Sequence, residues 1–373
     1  MNFDITSEQK LLQDTLRRML SSHYGLGERR EYAKSSTGFS QAMWRRYAEM
    51  GLLALPFSEK DGGLEASPVE TLVTMQELGR ALALEPYLET VVICGGLLRR
   101  LGSEPMRSAT IPRIIAGDIL FAFAHEGNDA PGSCVAAERL EGGFRLQGRV
   151  PLVVAGAAAD QLLVPAALEG RVALLMIDRA TDGLTARAFQ LHDGTQAAEL
   201  RFDRVLVAQE RLVSSDAYAD ICRVMDEANA ALCAEVVGAM EEAFELTRDY
   251  IRTRQQFGVS ISTFQSLRHQ LADMVVHLEH ARSMAILAVM RCGSDDTAAR
   301  EGAVSAAKVQ ISGAARALGQ SAIQLHGGIG MTEEYKLGHL FKRMEALGKR
   351  LGDAGMHLSR LAAINGPVRT LVV

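Results

Sequence analysis

From Ser214 to about residue 363 the apolar residues recur at the three- and four-residue spacing of helices, with only short breaks. This pattern predicts four long helices, at 218–254, 264–292, 297–325 and 334–363, the last interrupted near Gly352. The second places Leu267, Leu271, Met274, Val275, Leu278, Ala281 and Ile286 on one face, and the third is rich enough in Ala and Gly for close helix approach. Long helices with short connections hide such stripes against one another, which predicts an up-and-down four-helix bundle.

Two motifs mark the ends of these helices. Arg252-Thr-Arg254-Gln-Gln256-Phe257-Gly258 is basic and ends in glycine. Two helices later comes Gln324-Leu-His326-Gly327-Gly328-Ile-Gly330-Met331. An arginine in a last helical turn complements the helix dipole, an effect under about 1 kcal/mol, but its planar fork also suits a diphosphate. A glycine-rich turn can simply stop a helix, or it can bring bare backbone N–H groups close to phosphate or adenine. Together the two segments suit an anion-bearing cofactor. No Gly-x-Gly-x-x-Gly follows a predicted strand, which argues against a Rossmann domain.

Ahead of the bundle the period changes twice. Residues 1–118 read as helical, opening with Thr6 three residues before Gln9, the spacing of a capping box. Further helices are predicted at 39–53, 68–83, 87–101 and 108–116. From Ile119 to about Leu212, short β-type runs at 119–124, 143–148, 161–165, 172–177 and 198–207 alternate with Gly, Asp and Asn turns, which predicts a small antiparallel barrel or sandwich. The fold class is therefore α+β in three parts: helices at 1–118, strands at 119–212 and the bundle at 213–373.

Other function classes are disfavoured. A net charge of −5 argues against a nucleic-acid platform. Cys94, Cys134, Cys222, Cys233 and Cys292 are scattered and odd in number, as expected of free thiols in a reducing cytoplasm. The first residues have neither the basic nor the apolar segment of a signal peptide, and no apolar run is long enough to span a bilayer. His326 and His357 have no paired Cys or carboxylate at ligand spacing, so no metal is expected. No Gly-x-Ser-x-Gly appears, which disfavours a hydrolase.

The order helices, strands, bundle, together with Arg254–Gly258 and Gln324–Gly330 in their places, resembles the acyl-CoA dehydrogenase family over the whole chain. The strand Phe202-Asp-Arg-Val-Leu-Val207 supports the resemblance. It implies FAD as cofactor, an acyl-CoA substrate, an electron-transfer flavoprotein or similar acceptor, and a tetramer. The implied reaction is α,β-dehydrogenation, in which a carboxylate takes the α proton and flavin N5 takes the β hydride. Residues carried over as contacts to a neighbouring subunit's FAD are Arg254, Gln256, Phe257, Ile261, Gln324, Gly327 and Gly328.

Several positions depart from the family pattern. The usual Thr-Glu-Pro and Ala-Gly-Ser-Asp appear as His125-Glu126-Gly127 and Ala130-Pro-Gly-Ser133-Cys134, so His125 replaces a hydroxyl that faces the flavin. Trp-Ile-Thr-Asn-Gly appears as Leu152-Val153-Val154-Ala155-Gly156, so Val154 replaces another. Counted from Gln324 without a gap, the place of the usual base falls on Leu351, and a two-residue shift brings Asp353 there instead. Some members carry the base on the first bundle helix, where Ala228 stands beside Asp226 and Glu227. An arginine usual near the acyl-CoA is Asn229. Three readings stay open: a dehydrogenase using Asp353, Glu227 or Asp226; a non-catalytic or half-site subunit of a heterotetramer, as in bacterial members acting on bulky or steroid side-chain thioesters; and a flavin oxidase or monooxygenase.

Overall fold

Thr6 starts the first helix as its spacing to Gln9 predicts. Its Oγ1 accepts from the Gln9 backbone N–H at 3.2 Å, and Gln9 Oε1 accepts from the Thr6 N–H at 2.9 Å. The computed structural model describes residues 5–125 and 135–366. The early helices are α1 (Ser7–His23), α2 (Leu26–Lys34), α3 (Gln41–Glu49), α4 (Pro68–Ala81), α5 (Gly95–Leu101) and α6 (Glu104–Ile115). The segment expected as one helix at 87–101 divides, with a π-helix at Leu88–Cys94 running into α5. The bundle helices are α7 (Tyr218–Thr253), α8 (Gln265–Cys292), α9 (Thr297–His326), α10 (Lys336–Lys349) and α11 (Ala354–Asn365).

The described residues form two compact units. One takes those within Met1–Arg29, Pro68–Ala83 and Asn229–Val373; the other takes those within Arg30–Ser67 and Leu84–Ala228.

In the first unit α4 and α7 meet backbone to backbone. A Cβ on Gly79 would lie 1.9 Å from the Glu235 carbonyl oxygen, and one on Gly238 would lie 1.8 Å from that of Gln76. Charges along this crossing are paired, as burial requires. Arg80 reaches Glu241, Glu242 and Glu245, and Arg17 reaches Glu77. The predicted stripe of α8 is buried at Met274, Leu278 and Ala281, whereas Val275 lies outside it and is exposed.

The second unit holds one eight-stranded sheet: β1 (Phe121–Phe123), β2 (Val135–Leu140), β3 (Gly143–Val154), β4 (Gln161–Leu168), β5 (Arg171–Asp178), β6 (Leu184–Gln190), β7 (Gln196–Ala208) and β8 (Leu212–Ser214). Its order is β6-β7-β3-β2-β4-β5-β8, with β1 also on β4. Alternate residues such as Phe144, Leu146, Leu200 and Phe202 fill one core. The expected antiparallel barrel or sandwich needs two corrections. β1 and β2 both run parallel to β4. Among the described residues the ladder also ends at β6 and β8 without closing on itself. Register shifts after Leu146 and Val150 interrupt the regular pairing of β3 with β7, as β-bulges do.

The α4–α7 crossing yields a prediction. Gly79→Ala forces the two backbones apart and should lower unfolding stability by about 3 kcal/mol, whereas Gly302→Ala, where a Cβ meets nothing within 4 Å, should be neutral or stabilising; urea melts of the two variants make the comparison.

Candidate functional site

The basic motif is built on the end of α7. The Arg254 N–H still donates to the Tyr250 carbonyl at 2.8 Å, and the chain then turns sharply. β9 (Gln255–Gln256) and β10 (Val259–Ser260) pair around Phe257 and Gly258, whose φ values of 54° and 79° make a tight hairpin. Ile261 is buried and returns its N–H to the Arg254 carbonyl at 2.9 Å, which anchors the hairpin. Phe257 stands at the tip, 91% exposed. Arg254 and Gln256 are exposed, and the Arg254 guanidinium makes no ion pair among the described residues.

The glycine motif lies beside it. α9 ends at His326, Gly327 turns with φ 64°, and Gln324, Gly327 and Gly328 are exposed. A Cβ built on Gly327 or Gly328 meets nothing within 4 Å, so the backbone there faces open space. His326 joins the two motifs. Its Nδ1 lies 2.9 Å from the Ala322 carbonyl and must donate to it, so Nε2 accepts from the Tyr335 hydroxyl at 3.2 Å. The ring stacks on Tyr250 at 4.3 Å, one turn before Arg254. Burial holds the imidazole below its usual pKa, which keeps it neutral.

The candidate acids are differently employed. Asp353 is the N-cap of α11, and its Oδ1 accepts from the Met356 N–H at 3.0 Å. That bond holds its carboxyl below the usual carboxylate range. Glu227 is paired with Arg99 at 3.3 Å and Arg100 at 3.9 Å. Asp226 is fully buried. Glu235, also on α7, is buried against Arg343, whose Nε lies 2.9 Å away.

Between α10 and α11 the chain makes an elbow at Leu351 and Gly352, with φ of 55° and 98°. Three side chains hold its carbonyls. Lys308 Nζ donates to Leu347 O and Arg350 O, both at 2.7 Å. Asn229 Nδ2 and His357 Nε2 both donate to Leu351 O at 3.2 Å. His357 Nδ1 then accepts from the Ser305 hydroxyl at 3.1 Å. Burial pulls Lys308 down to about 8, opposed by Cys233, Glu235 and Asp353. Burial also pushes His357 down to about 4.

On the sheet, His125 follows β1 with its ring 5.5 Å from Phe123. Val154 ends β3 opposite Ala197 and offers only methyl groups. Glu126, Gly127, Ala130, Ser133 and Cys134 lie outside the described residues. The sequence pattern passed over the elbow clamp, because Lys308 reads as an ordinary polar residue on an Ala-rich helix. It also passed over Glu89, a buried carboxylate on the π-helix hidden inside an apolar run; such helices recur at functional sites.

Models of one family match both ends of the chain. The acyl-CoA dehydrogenase N-terminal domain matches residues 6–118, and the C-terminal domain matches residues 220–364. This chain belongs to the acyl-CoA dehydrogenase family. The acyl-CoA dehydrogenase FadE27 of Mycobacterium tuberculosis is 27% identical, over 89% of this chain and 90% of that one. The Tcur3481-Tcur3483 steroid ACAD superposes with a TM-score of 0.88 at 26% identity, covering 96% of this chain and 97% of its own. The ChsE4-ChsE5 complex from Mycobacterium tuberculosis gives 0.90 at 24% identity, with 97% and 98% covered. The family chemistry is FAD-dependent dehydrogenation at the CH–CH bond of an acyl-CoA. The exposed residues fit part of that cofactor: a cation and two amides without partners among the described residues, and bare glycine backbone, suit a diphosphate and an adenine. Among the described residues no group of three or more His, Cys, Asp or Glu could hold a metal, and no helix is long and apolar enough to cross a membrane.

The elbow clamp yields two predictions. An unfolded imidazole is protonated near pH 6.5 and folded His357 only near 4, so the unfolded chain binds more protons between those values. The stability contributed by neutral His357 is therefore full above about 6.5 and declines as pH falls toward 4, by up to about 3 kcal/mol; denaturant melts across this range should show the slope, and His357→Gln should flatten it. Lys308→Met leaves the Arg350 carbonyl without its donor, while the Leu347 carbonyl still accepts from the Arg350 N–H at 3.2 Å; the change should cost about 1–3 kcal/mol at neutral pH, read by the same melts.

Proposed function

We propose that this chain is one subunit of a heteromeric acyl-CoA dehydrogenase, gripping the FAD of a neighbouring chain and leaving proton abstraction to a carboxylate of that neighbour. One observation carries the reading: the acid nearest the usual base position, Asp353, is spent on a helix cap that lowers its pKa. A base for the α proton of a thioester works by the opposite arrangement, a carboxylate whose pKa is raised by burial. Glu227 is compensated by two arginines, and Leu351 has no proton acceptor in its side chain.

When bound, FAD supplies the two-electron acceptor of the reaction. The residues of this chain have binding and orienting roles. Arg254 would hold the diphosphate, Gln256 and Gln324 would offer amides, Gly327 and Gly328 would let the backbone approach the adenylate, and Phe257 and Ile261 shape the hairpin. His125 and Val154, which the family resemblance puts by a flavin ring, supply no hydroxyl, in keeping with a subunit that lends half a site. The likeness to a steroid ACAD and to a two-component complex supports a bulky CoA thioester and a heterotetramer built with a related subunit. An electron-transfer flavoprotein is the acceptor that matches this chemistry. Cys94, Cys222, Cys233 and Cys292 form no disulfide among the described residues, which suits a reducing cytoplasm.

The flavin-to-protein ratio tests the proposal. Alone, the chain should be colourless and stay so when FAD is added; co-purified with a subunit that carries a glutamate base, it should be yellow and bleach anaerobically with acyl-CoA. In that complex Arg254→Lys should lower flavin content, while Asp353→Asn should leave turnover within about twofold, since no transition-state contact is lost. One FAD per isolated chain, bleached by an acyl-CoA, would sink the half-site reading, and Asp353→Asn and Glu89→Gln would then locate the base. Hydrogen peroxide formation without CoA dependence would point instead to an oxidase.

A further inference from the structure

A cavity of about 410 Å³ lies in the first unit, among α1, α4, α7 and α8. Its volume is in the range of small-molecule sites. The walls are mainly aliphatic, with Leu72 from α4, Val237 from α7, and Ala285, Ile286 and Val289 from α8. At Ala234 and Ala285 the side chain is a single methyl, which leaves room that a longer residue would fill. Ile5 and Met290 also line the cavity and are 36% and 46% exposed, which gives it an apolar rim open to solvent.

Four polar side chains reach the cavity: Thr6, Gln9, Gln76 and Arg282. Three have their groups engaged. Thr6 and Gln9 close the capping box, and Gln9 Nε2 also donates to Glu70 at 2.9 Å. Arg282 pairs with Glu241 through Nε at 2.8 Å and Nη2 at 2.6 Å, and with Glu279 through Nη1. Gln76 differs. Its Nε2 donates to Glu241 at 2.8 Å, but its Oε1 accepts no hydrogen bond from the described residues. The cavity therefore has aliphatic walls, no uncompensated charge and one spare acceptor.

We propose that this cavity is a binding site for a neutral aliphatic molecule carrying one hydroxyl or N–H group, which donates to Gln76 Oε1. At about 30 Å³ for each water-sized group, the space admits about a dozen heavy atoms. A carboxylate is disfavoured because the cation it would seek already holds two acids, and an ammonium is disfavoured because it would lie beside Arg282. The Gln76 backbone carbonyl is also the one pressed against Gly238 at the α4–α7 crossing, so an occupant braces that crossing. None of the flavin-gripping residues is involved, so the result stands whichever subunit supplies the base.

The test titrates the full chain with 1-decanol, following thermal unfolding and calorimetric heat. A saturable rise in melting temperature is expected, with none from decanoate or decylamine at mildly alkaline pH. Ala285→Phe fills the space and should weaken decanol binding by about tenfold or more while its circular dichroism stays native. Gln76→Met should lower affinity for decanol but not for decane. A response to decanoate equal to that for decanol, an undiminished response in folded Ala285→Phe, or no saturable binding at all would overturn the proposal. So would self-association abolished by Met290→Asp in a chain that ignores decanol, since a second copy would then be the occupant.

Discussion

The contact between the α4 and α7 backbones is what much of the first unit depends on. Two helices meet this closely only where neither carries a Cβ, and Gly79 and Gly238 provide that on the two sides. Once the backbones touch, neighbouring side chains have nowhere to go but outward or into pairs. Arg80 falls among three glutamates, Glu241 is shared by Gln76, Arg80 and Arg282, and Glu235 is turned toward Arg343. A buried acid on α7 therefore finds a cation or an amide within reach. The pairing that makes the crossing tolerable also removes these acids from acid–base work.

The elbow between α10 and α11 repeats that logic with carbonyls. Lys308, Asn229 and His357 supply four donor contacts to three carbonyl oxygens of residues 347–351. This order is costly to build from a buried lysine and a neutral histidine, and it fixes Leu351 in a left-handed conformation unusual for a branched residue. The elbow is thus held firmly, and the side chain at its left-handed residue Leu351 is aliphatic. Under the proposed half-site reading, the elbow keeps its shape while a second chain supplies the proton acceptor.

Much of this was legible in the sequence. The capping box at Thr6, the α4 span and the four bundle helices follow from periodicity and local chemistry, which act within a few residues. The break near Gly352 was marked by its glycine, and the exposed hairpin after α7 and the turn after α9 were marked by glycines and arginine at helix ends. What escaped depends on contacts remote in sequence. Nothing near Lys308 shows that its ammonium closes a turn some forty residues later. Nothing near Asp353 separates a cap from a base, since both are acids at the start of a helix. The parallel pairing of β1 and β2 with β4 was missed for a similar reason. Alternation within a strand reports which face is buried, not the direction of its neighbour.

The hairpin that carries Phe257 holds an aromatic ring almost wholly in water on a stiff, two-residue turn. The ring meets the edge of Phe264, 6.1 Å away, and leaves nearly all of its apolar surface to water. Chaperones and proteases read exposed aromatic surface as a mark of incomplete folding. A copy with this ring uncovered is therefore the form on which they would act first.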